Sequence, residues 1–451
     1  AEASYAAERF PEAISRYQVV VDKFPKSDFA PHARYGLGWT EFSLGNFDRA
    51  SQIMSDLADR HPDSAPAKKA LYVRAMAAYQ LQQFADSLRH VDSYLKTKPS
   101  GADQLDALYV RGLAQAGLQQ FDQAATTYQS ILTAAAELND GYPGADKVAY
   151  ELGWAYAEQG ETSKATAAFS SLARDYPKSP LAAESQFRVG ESWYEAGDFE
   201  KSATAYQAAA AKAVSGEIAE KALHKLGWSQ LKSNDTEGAQ QTFTLQIQKH
   251  ANGDLAGDAR FLIGECLFKA SEWKEAQTIF QRVAAANNSG YTALACFRAG
   301  ECAASLEDWK TSRRWHEKVL SDFPDFEMQA EARYGLGWAL QNEGEFRDAM
   351  QLYELVTEQT QTETAAKARF MMGECCFAMK KHKDATKHFL KAAFVYNHPE
   401  WSAMAWFEAA RCFEVIRDVD QAISCYEKMI EKYPQHSRVA DARRRLTALR
   451  K

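Results

Sequence analysis

Apolar residues recur along this chain at spacings of three and four, and the pattern breaks and restarts at regular intervals. Such spacing predicts amphipathic helices, and two runs flanking a short break predict a helix–turn–helix unit. The unit repeats. Its small central residue stands at Gly38, Ala75, Gly112, Gly153, Gly190, Gly227, Gly264, Gly300, Gly337, Gly373 and Ala410, at intervals of 36 or 37 residues with one longer step of 41 after Gly112. A period of about 20–50 residues signals stacked supersecondary units, each burying the apolar face of its neighbour.

Offsets from this anchor define the unit. Position −3 is Tyr or Phe in ten of the eleven copies, with His224 the exception, and +2 is always small. Position +12 is Ala or Ser throughout, and +9 is usually aromatic, as in Phe47, Phe84, Trp273 and Phe346. Glycine at +7 (Gly45, Gly160, Gly197, Gly344) is suited to a left-handed C-cap that ends the first helix, A. Proline after the second helix, B (Pro25, Pro62, Pro99, Pro177, Pro324, Pro434), cannot continue its hydrogen-bond ladder. Small residues at the anchor, +2 and +12 let the paired helices approach closely.

The copies Tyr35-Gly36-Leu37-Gly38-Trp39 with Gly45, Phe47 and Ala50, and Tyr334-Gly335-Leu336-Gly337-Trp338 with Gly344, Phe346 and Ala349, resemble the tetratricopeptide repeat. The 37-residue period and endings such as Phe24-Pro25-Lys26-Ser27 and Tyr176-Pro177-Lys178-Ser179 resemble a bacterial envelope subgroup. That subgroup includes the Tol-Pal-associated cell-division coordinator and the lipoprotein of the outer-membrane barrel assembly machine. The expected fold is all-α, a right-handed superhelical α-solenoid of about twelve helix–turn–helix units plus a C-terminal capping helix. We expect one solenoid over 1–451: a partial first repeat at 1–29, repeats two to twelve over 30–436, and a cap at 437–451. A looser junction is expected near 136–147, where Leu138, Asn139, Asp140, Gly141, Tyr142, Pro143 and Gly144 hold the four extra residues. Arg74 and Arg111 replace an apolar residue at −1, so repeats three and four are expected to pack less tightly.

Residue 1 falls inside a first helix A with no signal peptide before it, which suggests a fragment of a longer chain. A net charge of −7 over 451 residues argues against a general nucleic-acid binder, and no apolar run is long enough to span a membrane.

Offsets −3, +1 and +4 form one stripe along helix A, which in the resembled family faces a concave peptide-binding groove. The candidate binding residues on it are Tyr35, Trp39, Trp154, Glu191, Trp228, Glu265, Glu301, Trp338 and Glu374. Indoles offer flat apolar contact and carboxylates a seat for a ligand's Lys or Arg. The plainer alternative is that tryptophan at +1 packs on the next helix A and glutamate solvates the face. Four of the seven cysteines, Cys266, Cys302, Cys375 and Cys412, occupy the small +2 slot and read as core filler, too far apart to bridge. An odd thiol count leans towards a reducing compartment, whereas the resemblance points to the periplasm or outer membrane. Lys380, Lys381, Lys383, Lys387 and Lys391 form either a docking patch for acidic groups or a solvated helix face.

No phosphate-binding glycine loop, nucleophile elbow or zinc signature is present, so no catalytic residue, metal or cofactor is expected. The expected function is a non-enzymatic interaction scaffold that holds a partner protein or peptide carrying basic and apolar residues, in envelope assembly or cell division. The alternatives are an accessory array on an enzyme or receptor whose working domain lies upstream, and a platform that self-associates.

Overall fold

The structure is a computed structural model and describes residues 1–138, 141–213, 216–287 and 289–451. Asn139 and Asp140, part of the expected junction, lie outside the described residues. Among the described residues there are twenty-five helices and no strand, as twelve A–B pairs and a cap require. No helix among them is long and apolar enough to cross a membrane.

The chain divides into two compact units, Ala1–Ser233 and Asn234–Lys451. The first runs from Glu2–Ala6 and Phe10–Lys23 to the pair Ala182–Glu195 and Phe199–Lys212, and closes on Glu217–Lys232. The second opens on Thr236–Lys249, continues from Ala256–Lys269 to Val419–Lys432, and ends on the cap Val439–Leu449. Inside each unit a helix packs on the next in sequence, and successive A helices touch, as Ala30–Ser43 does Ala65–Gln80 and Gln329–Asn342 does Glu363–Ala378. Nearest-neighbour stacking of this kind is the α-solenoid.

Two contacts fix the pairs within each unit. The +12 column is buried in every repeat, from Ala50 and Ser87 to Ala385 and Ala422, and all but Ala165 are wholly inaccessible. A second column, at +16 on helix B, explains the anchor glycine. A methyl group built on Gly337 would come within 2.7 Å of the Tyr353 ring, and one on Gly373 within 2.5 Å of Phe389. Where the anchor is Ala75, the opposing residue is the smaller Val91, itself fully buried. Ala410 faces Tyr426, and nothing in the structure explains that alanine.

The turn is more uniform than its sequence. Gly45, Gly160, Gly197 and Gly344 have φ of 80°, 75°, 77° and 87°, but Gln82, Gln119, Asn234, Ser271, Glu307, Lys380 and Arg417 hold the same +7 position at 57–64°. The hydrogen bonds are those of a Schellman cap: Lys381 N–H donates to the Cys376 carbonyl at 2.8 Å, and Gln83 N–H to Ala78 at 2.8 Å. The fold therefore holds ordinary residues in a conformation that glycine adopts without strain.

The 41-residue step is absorbed partly by helix Phe121–Ala136, two residues longer than the usual fourteen. Tyr142 ties the connection down by donating to Asp106 at 2.7 Å. Repeats three and four keep a buried core of Val73, Val91 and Val110, and Arg111 reaches out to Asp92 at 3.1 Å. At the C-terminus Val439 and Ala442 pack inward, and Arg445 pairs with Glu414 at 2.9 Å.

Candidate functional site

Helix A buries its flank against its own helix B and against neighbouring A helices, which decides what the −3, +1 and +4 stripe can offer. The −3 column is largely core. Phe187, Phe261, Phe297, Phe370 and Phe407 are 2–6% exposed, and their rings meet the +16 side chain of the same repeat. Phe261 lies 5.4 Å from Phe280, and Phe370 lies 5.1 Å from Phe389. The expectation that −3 aromatics face a ligand is corrected for these phenylalanines, because the +16 ring occupies that side.

The nine candidate residues all keep some exposure, and Trp338 keeps the most at 36%. In the first unit Tyr35 stacks on Trp39 with centroids 6.1 Å apart, and Trp39 on Phe42 at 5.9 Å. Burial pushes the Tyr35 phenol up to about 12. Trp154 meets Tyr150 edge to face and carries the Arg188 guanidinium 4.8 Å over its ring. The Trp228 indole donates to His224 Nε2 at 3.1 Å. Glu191 accepts from the Tyr206 hydroxyl and lies 3.1 Å from Lys225 Nζ.

In the second unit Arg298 bridges two candidates, its Nε 2.7 Å from Glu265 and its Nη1 2.6 Å from Glu301. Trp338 lies steeply tilted against Trp309, with centroids 5.3 Å apart. Glu374 differs. Burial, and then the neighbouring Glu408 carboxylate, raise its pKa to about 7 against the pull of Arg411 and Arg438. Glu408 is itself 2.7 Å from Arg411.

Several carboxylates on this face thus already hold a cation, which changes their expected role. Lys225 and Arg298 each stand at −2 of the repeat after the glutamate they neutralise, and Arg188 stands at −2 of the repeat after Trp154. Each also lies over an aromatic ring: Lys225 5.4 Å over Tyr194 and Arg298 4.8 Å over Phe268. The +1 column taken alone does not show the cations at −2. The signal lies in two columns 33 or 34 residues apart.

Elsewhere the chemistry is quiet. All seven cysteines are free and buried, and burial pushes the Cys302, Cys375 and Cys412 thiols up to about 12. They are protonated fillers. No cluster of three or more potential metal ligands occurs among the described residues. Lys380, Lys381, Lys383, Lys387 and Lys391 are exposed on one repeat, and Lys387 pairs with Asp384 at 2.9 Å.

Family comparisons match this chain in four stretches. Residues 27–191 match an outer membrane lipoprotein family (YfiO), and residues 305–392 match subunit 3 of the anaphase-promoting complex, or cyclosome. Residues 224–291 and 404–436 match tetratricopeptide repeats. No curated protein matches. Similar solved structures include the APC/C hetero-tetramer Cut9–Hcn1, at 13% identity over 99% of this chain and 95% of that one, with a TM-score of 0.37. MamA from Desulfovibrio magneticus RS-1, from residue 41 to its end, is 18% identical over 40% of this chain and 92% of its own, with a TM-score of 0.34.

Proposed function

Because this chain is a tetratricopeptide-repeat protein, and such arrays serve as protein-interaction scaffolds, we propose that it holds a partner protein or peptide along its A-helix face. The contact residues of this reading are Tyr35, Trp39, Trp154, Glu191, Trp228, Glu265, Glu301, Trp338 and Glu374, and residues 1–451 act as one array with its looser junction near 136–147. The role is binding without catalysis. The observation that carries it is the +1 column itself: these large side chains stay partly exposed on helices whose neighbouring positions are buried. Amphipathic rings left half open on a rigid element are the usual anchors of an interface. The partner segment carries apolar residues for the indoles and a basic residue for the face's spare negative charge. Assembly or division of a bacterial envelope is the favoured setting, supported by the outer membrane lipoprotein match over 27–191.

Affinity capture from the native host tests this reading. Trp39→Ala, Trp154→Ala and Trp338→Ala together should leave helix content near wild type, lower the melting temperature because Trp39 and Trp154 pack on core residues, and remove a partner that the wild-type protein retains. Retention of every partner by the folded triple variant would move the site off the A-helix face.

A further inference from the structure

Two glutamates of the +1 column, Glu191 and Glu265, have a cationic rung at −2 of the next repeat, whereas Glu301 and Glu374 do not. By the spacing that puts Lys225 on Glu191 and Arg298 on Glu265, the residue at −2 of the tenth repeat would meet Glu301. That residue is Gly335. A side chain could not easily stand there, because a Cβ on Gly335 would lie 2.5 Å from His316 Nε2. Beside Gly335 and His316 the structure has a cavity of about 250 Å³, walled by Phe297, Tyr334 and Trp338, with Glu301 and Glu331 on its surface. This is smaller than a site for a drug-sized molecule, at about 300–1,000 Å³, and suits one long side chain.

The charge around the cavity is unbalanced. Arg298 is one cation shared between two carboxylates, Glu265 and Glu301. Lys367, the lysine on the cavity wall, is held 3.0 Å from Glu363. Glu331 accepts only a neutral hydrogen bond in this cluster, from the Thr364 hydroxyl at 3.0 Å. His316 adds no positive charge at neutral pH, since burial holds its pKa down at about 4. Aromatic walls with surplus carboxylate are complementary to a cation, and a flat guanidinium uses both features at once.

We propose that this cavity accepts one basic side chain, arginine before lysine, from the partner segment, and that this residue takes the place Lys225 and Arg298 hold at their own repeats. The inference rests on the A-helix face being the binding face. It names the side chain that reads the second unit.

The probes are N-acetyl-arginine amide and its neutral citrulline analogue, titrated into the full chain while the Trp338 indole N–H resonance is followed. Arginine amide should give a saturable shift, and citrulline should bind about tenfold more weakly or worse, as expected for loss of the charge. The response should vanish in the double variant Glu301→Gln with Glu331→Gln, and in Gly335→Arg, which supplies the missing rung in cis. Gly335→Arg crowds His316, so the isosteric glutamine pair keeps the test valid should that variant fail to fold. Equal response to citrulline, no response to arginine amide, or full binding by the glutamine variant would overturn the proposal. Arginine binding here alongside unchanged partner capture by the triple tryptophan variant would sink the broader reading and leave the cavity standing. The reverse pair of results would remove only the cavity.

Discussion

Arg298 joins two repeats through Glu265: its Nε lies 2.7 Å from a Glu265 oxygen, while its Nη1 reaches Glu301 at 2.6 Å on its own helix. The guanidinium is only 24% exposed. Removing it leaves two partly buried carboxylates facing each other without a cation, which costs more than the pair itself is worth. Arg298→Met is expected to destabilise the second unit by about 2–3 kcal/mol at pH 7, with the loss shrinking as the glutamates protonate. Denaturant titrations at pH 7 and pH 4.5 measure both effects.

Glu374 sets a pH dependence of the same origin. Its folded pKa is raised from 4.5 to about 7, first by burial and then by Glu408. The folded chain therefore holds a proton that the unfolded chain has released, and stability falls as pH rises from about 4.5 to about 7. Glu374→Gln should flatten that window and gain about 1–3 kcal/mol over wild type at pH 8, with little difference at pH 4. Paired melts at the two pH values decide it.

The turns offer a gain in stability. Lys380 sits at φ 60° in the position where Gly344 sits at 87°. Lys380→Gly should raise stability by about 0.5–1 kcal/mol by relieving a left-handed backbone, read from the denaturation midpoint. Gly45→Ala should move it the other way.

Ala349, wholly buried at +12, leaves no room for a larger side chain against its own helix A. Ala349→Leu should cost about 1–3 kcal/mol by overpacking, measured by chemical denaturation.

The helix pairs, the turns and the cap were legible in the sequence because each rests on local chemistry. Small residues at +2 and +12 and breakers after helix B carry their meaning within one unit. Even so, the sequence marks the +7 turn with glycine in only some repeats, because cap hydrogen bonds such as Lys381 to Cys376 hold the rest. The site was less legible. Helix A buries two flanks, so a stripe at −3, +1 and +4 overlaps the core, and Phe261 and Phe370 went inward against Phe280 and Phe389. The pairing of Glu191 with Lys225, or of Glu265 with Arg298, spans 34 and 33 residues and exists only once the repeats are stacked. One column cannot reveal it.

In the proposed function a partner lies along the A-helix face. A photo-crosslinking amino acid placed singly at Trp39, Trp154, Trp228 and Trp338, and at the exposed helix B positions Lys391 and Leu355, tests it in the native host. One discrete protein adduct, shared by several A-helix positions and absent from the helix B positions, is expected. Adducts that form only from Lys391 and Leu355, with none from the four tryptophan sites, would contradict it.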